Sequence, residues 1–323
     1  MRFVIYGAGA VGGVVGGRLF QAGHDVTLVA RGDHLLALRH GGLTLRSPDA
    51  TATLPVPAVG SPADADLADG DVVVLAMKGQ HAVAAVAELA AVAPPGIAVV
   101  CAQNGVENER VALRSFADVY AMAVMLPASH LEPGVVEASS SPVTGLLDLG
   151  RYPVGVDATA EAVAAALSGA TFSSQAQADI VRWKYRKLLL NLGNAVQAVT
   201  GRVGRRNPLV ARLVEEGEAA LRAAGIDYAS VDEEAERRGD LVQVRAVDGR
   251  QRPGGSSWQS LARGVGSIES DYLNGEIVLL GRLHDVPTPA NELMQRLARR
   301  LAAEGRPPGS LTTDEVLAQL DEV

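Results

Sequence analysis

Cysteine occurs once in these 323 residues, at Cys101, so an intrachain disulfide framework is excluded and a reducing compartment is expected. Aromatic residues make up only 4% of the chain, which leaves the packing to Ala, Val and Leu. No apolar run approaches the roughly 20 residues a membrane helix needs. The start, MRFVIYGAGA, passes straight into a buried-strand pattern, so no signal peptide is expected. The expectation is a cytoplasmic, soluble protein without a membrane partner. Surplus positive charge is also missing. A net charge of −8 argues against a nucleic-acid partner, because neutralising phosphates requires a basic surface. Lysine itself is nearly absent, since the 29 basic residues include only Lys78, Lys184 and Lys187.

The length allows two domains, each with its own core. RFVIY (2–6), DVTLVA (25–30), DVVVLAM (71–77) and IAVVCA (97–102) are apolar runs of strand length. A glycine-rich turn and helix follow the first, and the alanine-rich GQHAVAAVAELAAVA helix follows the third. This alternation predicts βαβ units and a parallel sheet covered on both faces. DVYAMAVML, GVVEASS and VTGLLDLG, beginning at residue 118, are expected to extend that sheet. From about residue 178 the pattern turns helical, and in TPANELMQRLARRLAAEG Thr288 is the expected N-cap, Pro289 the first helical residue and Gly305 the stop. The expected fold class is therefore α/β, with an N-terminal Rossmann-type doubly wound sheet over 1–177 and a C-terminal all-helical domain over 178–323.

VIYGAGAVGG carries Gly7-x-Gly9-x-x-Gly12 between a strand and a helix. Gly7 suits the tight turn, Gly9 the close approach of backbone to a pyrophosphate, and Gly12 the helix–strand contact. The run Gly7, Ala8, Gly9, Ala10, Val11 and Gly12 is the candidate dinucleotide-binding turn, with the helix N-terminus facing the phosphates. Gly13, Gly16 and Gly17 read as packing residues. An NAD enzyme usually ends the second strand with an acidic residue that accepts from the ribose 2′-hydroxyl. Here TLVARGDH places Arg31 there, suited to a 2′-phosphate. Lys78 follows a neighbouring strand at its carboxyl end. NADP(H) is the expected cofactor, and no metal site is expected.

Two of the three lysines fall in VRWKYRKLLLNLGNAVQAV. On a continuous helix, Lys187, Asn191 and Asn194 lie at about 0°, 40° and −20°, a polar stripe on an otherwise apolar surface. Lys184 lies about 60° to the side, at the edge of that stripe or toward solvent. Buried amides need partners, supplied either by the protein or by a ligand. Burial lowers a lysine pKa toward neutrality while arginine stays protonated, so lysine suits a proton donor. Asn104 sits in a QNG turn after a strand. SSWQS puts Ser256 and Ser257 where a helix begins, one expected to cap it and the other to bind. Glu269 is expected in an amphipathic helix with Asp271 and Glu276.

GAGAVGG, AMK, CAQNGVENE, KLLLNLGN, SSWQS and IESDYLNGE together resemble the ketopantoate reductase (2-dehydropantoate 2-reductase) family, over nearly the whole chain. The resemblance implies a Rossmann domain followed by a helical domain, with the active site in the cleft between them. It also implies NADPH-dependent reduction of 2-dehydropantoate to (R)-pantoate, a step toward coenzyme A. Lys187 is then the general acid, with Asn191 facing the substrate and Asn194 beside it. Asn104 stands between nicotinamide and substrate, Ser257 binds the substrate carboxylate, and Glu269 bonds the substrate and steadies Lys187. Asn104 and Glu269 also count among the cofactor contacts. Departures lie at the substrate end: the second amide stands seven residues after Lys187 rather than eight, Trp258 replaces a usual methionine, Ser260 a frequent acidic residue, and Gly254 a polar contact. They leave open which small 2-oxo acid is the partner. A β-hydroxyacid dehydrogenase of the 6-phosphogluconate dehydrogenase type and a non-catalytic NADPH sensor are the competing readings, and a homodimer is compatible with all of them.

Overall fold

A computed structural model describes residues 1–201, 204 and 207–322. Its strands are β1 Arg2–Tyr6, β2 Asp25–Val29, β3 Leu43–Arg46, β4 Thr51–Leu54, β5 Ala58–Val59, β6 Val72–Leu75 and β7 Ala98–Cys101. They continue with β8 Asp118–Met125, β9 Ala128–Ser129, β10 Val135–Ala138, β11 Ser140–Pro142, β12 Leu146–Arg151 and β13 Val242–Val244. The main sheet has the order β12-β8-β7-β6-β1-β2-β5. Its pairs are parallel except β12 against β8. Side chains alternate across a strand, so each continuous apolar run feeds two cores. Phe3, Ile5, Val72, Val74 and Val100 enter one, whereas Val4, Tyr6, Val73, Leu75 and Val99 enter the other. Cys101 lies in the second core, where burial pushes its thiol well above the ordinary pKa and leaves it a packing residue.

GVVEASS does not extend the main sheet. β10 joins a second sheet of order β4-β3-β10-β9, and β11 pairs antiparallel with β13. Val136 and Ala138 are buried in the core that also holds Val14 and Val15 of the glycine helix, Ala10–Gln21. The apolar alternation of this segment is therefore real, but its partner surface is a helix and not the sheet edge.

The chain forms two compact units, Met1–Lys184 with Ser230–Arg252, and Tyr185–Ala229 with Pro253–Val323. The sequence boundary at 177/178 differs from this division, and β13 is a strand within the range expected to be helical. Ser230–Arg252 joins the first unit through the β11–β13 pairing and through Arg237, whose Nη2 lies 2.6 Å from Asp148 Oδ1. No periodicity in one short segment announces such long-range partners.

The described part of the second unit is helical. Thr288 is the N-cap of the Pro289–Ala303 helix, as expected, but its side chain makes no capping bond. Glu216, from the Pro208–Ala223 helix, caps it instead, accepting from Ala290 N at 2.9 Å and Asn291 N at 3.0 Å. A carboxylate there meets both free N–H groups and the positive end of the helix dipole. Asn291 Nδ2 donates to Glu216 and to Leu213 O, while its Oδ1 accepts from Asn274 Nδ2, which also donates to Leu192 O. Among the described residues, no helix is long and apolar enough to cross a membrane.

Removing charge from this buried cap should be costly. Glu216→Gln is expected to lower stability by about 2–3 kcal/mol, seen as a lower urea midpoint in circular dichroism; an unmoved midpoint would show that the carboxylate adds nothing.

Candidate functional site

In the first unit the site begins where β1 ends. Gly7 has φ +100°, and a Cβ there would lie 2.7 Å from Met77 N. A Cβ on Gly12 would run into the Gly7 carbonyl and the side chains of Ile5 and Ala76. Gly9 differs, because a Cβ at that position meets nothing within 4 Å. It is the N-cap of the Ala10–Gln21 helix and makes no side-chain capping bond. The first N–H groups of the helix thus point past a backbone with no side chain, the arrangement a pyrophosphate needs. Gly13, Gly16 and Gly17 face Val136, Leu28 and Leu43, in keeping with a packing role.

His34 supports this turn. Gly134 N donates to its Nδ1 at 2.9 Å, which leaves the proton on Nε2 to donate to Ala8 O at 2.8 Å. The neutral ring therefore links the glycine turn to the loop before β10, and it lies 4.2 Å, centroid to centroid, from His130. Nothing in the local sequence marked His34, because both its partners are backbone groups, one of them 100 residues away.

At the end of β2, Arg31 Nη2 donates to Glu88 Oε2 at 2.6 Å and to Tyr6 Oη at 3.1 Å. Tyr6 Oη in turn donates to Glu88, and its pKa is raised by burial and by that carboxylate. Only one guanidinium nitrogen is engaged by these bonds, so Nε and Nη1 retain donors for an anion. Lys78 follows β6. Burial lowers the pKa of His81, and the charges of Lys78 and Arg31 lower it further, so both cations act on the same ring. Among the described residues no cluster of His, Cys, Asp and Glu is arranged for a metal ion.

Asn104 occupies the bend after β7, its carbonyl accepting from Asn108 Nδ2 at 3.0 Å. Lys184 accounts for the position of this bend. Its Nζ donates to Gln103 O at 2.8 Å and lies 2.7 Å from Glu109 Oε1, an ion pair without hydrogen-bond alignment at the carboxylate. Both side chains are almost fully buried. Lys184 therefore neither edges the polar stripe nor faces solvent, as its helical angle alone had allowed. Breaking such a buried pair costs about 3–5 kcal/mol.

In the second unit, Lys187 and Asn191 lie one turn apart on the Ile180–Asn191 helix, Asn191 buried and Lys187 partly so. The expected single helix is interrupted at Leu192, and Asn194 belongs to a separate helix, Gly193–Thr200. At this break Asn274 Nδ2 donates to the carbonyl of Leu192, the N-cap of the second helix. A 100° rotation per residue therefore does not carry across to Asn194, whose Oδ1 would lie 3.2 Å from a Cβ on Gly255.

Neither Ser256 nor Ser257 caps the Ser256–Ala262 helix. Its N-cap is Gly255, whose N–H donates to Gln197 Oε1 at 2.8 Å. With the capping position already filled, both serine hydroxyls are buried and have no hydrogen-bond partner among the described residues. A side chain on Gly254 would come 2.5 Å from Trp258 Cγ, so two departures from the family pattern are one packing event: the indole fills the space beside residue 254. Glu269 also differs from expectation. It starts a 3-10 turn, Glu269–Tyr272, before the Asn274–Leu283 helix, and it is buried, not solvated.

A parallel sheet with this glycine turn defines a Rossmann-type dinucleotide-binding protein. Two family models match the chain, "Ketopantoate reductase PanE/ApbA" over residues 3–152 and "Ketopantoate reductase PanE/ApbA C terminal" over 179–302. A 2-dehydropantoate 2-reductase of Halobacterium salinarum is 30% identical over 316 residues, covering 94% of this chain and all of the relative. Among solved structures, a PanE/ApbA family ketopantoate reductase from Ralstonia eutropha JMP134 superposes with TM-score 0.78 at 28% identity, covering 94% of this chain and 99% of its own. A ternary D-mandelate dehydrogenase structure with NADH and anilino(oxo)acetate shares the fold, with TM-score 0.80 at 22% identity over 94% of this chain and 99% of its own. The chain belongs to the ketopantoate reductase family and is an oxidoreductase.

The His34 geometry makes a pH prediction. Burial holds its folded-state pKa below the ordinary 6.5, so the unfolded chain takes up the proton first. The ring's contribution is intact above about pH 6.5 and is lost as pH falls from there toward the folded value. Between about pH 7.5 and 5.5 the urea midpoint of the native chain should fall more than that of His34→Gln, and equal slopes would remove the ring as the cause.

Proposed function

We propose that this protein reduces the carbonyl of a 2-oxo acid with NADPH, with 2-dehydropantoate, giving (R)-pantoate, as the substrate. The observation that carries the reading is the pairing of an open phosphate turn at Gly9 with Arg31, whose guanidinium still has two nitrogens to offer. Gly7–Gly12 would hold the pyrophosphate, and Arg31 with Lys78 the 2′-phosphate. Asn104, carried by the bend that Lys184 anchors, would meet the nicotinamide end, and Glu269 is a further cofactor contact. The dinucleotide, when bound, supplies the hydride.

Lys187 holds the proton at Nζ and gives it to the carbonyl oxygen. Its family position, and its place one turn from the buried Asn191 amide on the Ile180–Asn191 helix, support this role. Asn191 orients the substrate, with Asn194 beside it. Ser257 supports the carboxylate with a hydroxyl that no group among the described residues takes up. Glu269, a buried carboxylate, steadies the ammonium. The Trp258–Gly254 packing favours, as a second reading, a different 2-oxo acid in the same reaction. A panel of 2-oxo acids with NADPH and NADH, followed by loss of nicotinamide absorbance, tests both; no turnover with any of them would leave only the sensor reading.

Lys187→Ala should lower kcat by about 10²–10⁴-fold with dinucleotide affinity retained by fluorescence titration, and unchanged turnover would remove it as the acid. Arg31→Gln should raise KM for NADPH by about tenfold or more while leaving KM for NADH nearly as it was. Equal effects on the two would end the 2′-phosphate assignment.

A further inference from the structure

The Ala82–Ala90 helix carries Glu88 to Arg31, just past the end of β2. Glu88 lies 57 residues further along the chain, yet its Oε2 accepts from Arg31 Nη2 at 2.6 Å and from Tyr6 Oη at 2.5 Å. Tyr6 closes β1 immediately before the glycine turn. Side chains from three neighbouring strand–helix units therefore meet beside that turn, because β6, β1 and β2 are adjacent in the sheet. Both donors end on one carboxylate oxygen. Among the described residues no group donates to the other, Oε1. The Glu88 side chain is 38% exposed and Oε1 is not a buried atom, so a ligand can reach it. An ion pair this exposed adds little to stability. What it fixes is which atoms stay free.

The place of that oxygen indicates its ligand. In a dinucleotide site, an acidic residue at the end of the second strand accepts from the adenosine ribose 2′-hydroxyl. Position 31 is arginine here, but Glu88 brings a carboxylate to within 2.6 Å of it. The cluster thus offers two kinds of partner at one point. Arg31 Nε and Nη1 can donate to an anion, and Glu88 Oε1 can accept from a hydroxyl. We propose that Glu88 is a specificity-determining residue that binds the adenosine 2′-hydroxyl of NADH, so that the protein accepts NADH as well as NADPH. The same carboxylate repels a 2′-phosphate, which narrows the preference for NADPH from the other side. This rests on the dinucleotide assignment of the reductase reading above.

The test uses the whole chain in fluorescence titrations with NADPH, with NADH and with an NADH analogue whose adenosine lacks the 2′-hydroxyl. The native chain should bind NADH about tenfold more tightly than the analogue. In Glu88→Gln, Tyr6 and Arg31 draw the amide oxygen toward themselves, which leaves an N–H donor where Oε1 stood. NADH affinity should then fall by about tenfold, the analogue should bind as it does to the native chain, and NADPH affinity should hold or rise. The analogue comparison needs no variant, so it stands even if Glu88→Gln does not fold. A native chain that does not bind NADH, equal affinity for NADH and the analogue, or equal changes for the two in Glu88→Gln would each overturn the proposal. So would a loss confined to NADPH, which would leave Glu88 as a positioning residue for Arg31 alone. Failure of the reductase reading would look different: the native chain would turn over no 2-oxo acid with either dinucleotide, whereas the titrations would still report on Glu88.

Discussion

At Gly7 and Gly12 the backbone of one strand, the start of a helix and the backbone after a second strand come together with no space for a side chain. A Cβ on Gly7 would press on Met77 N, and one on Gly12 on the Gly7 carbonyl. The rest of the first unit depends on that contact. It sets the depth at which the Ala10–Gln21 helix lies on the sheet, and hence which residues of β10 can pack against the helix. It also leaves the helix N-terminus open over Gly9. His34 then ties the Ala8 carbonyl to the loop at Gly134, so the turn is held from both its strand side and its loop side.

The scarcity of lysine has two physical explanations here. At 184 a compact ammonium on a flexible stem reaches one carbonyl and one carboxylate in a buried space, Gln103 O and Glu109 Oε1. A planar guanidinium presents five donors in a fixed fork, and these two acceptors would leave several of them buried and unpaired. At 187 the proposed reason is titration, since a proton donor must be able to release its proton. Arg237, by contrast, uses its planar fork to pair with Asp148.

Polar side chains carry much of the order in the second unit. Glu216 caps the Pro289–Ala303 helix, Asn291 Nδ2 donates to Glu216, and Asn274 joins Asn291 to the Leu192 carbonyl. Most of these buried groups satisfy one another, with Asn274 Oδ1 left without a partner among the described residues. The network reaches the junction between the helix that carries Lys187 and the helix that carries Asn194 through the Asn274 bond to Leu192 O. It also gives the asparagine of IESDYLNGE a structural role.

The sequence alone was enough for the parallel sheet, the glycine turn and the switch to helices. Those features follow from local periodicity and from backbone positions that only glycine tolerates, both written within a few residues. The family membership was legible for the same reason, since its motifs are short and contiguous. Tertiary structure decided what depends on partners far along the chain: Lys184 turning to Gln103 and Glu109, β13 returning to β11, Gly255 and Gln197 relieving the serines of capping, and Glu269 being buried in a 3-10 turn. Burial and hydrogen-bond partnership are properties of pairs, and a pair separated by tens of residues leaves no periodic trace in either segment.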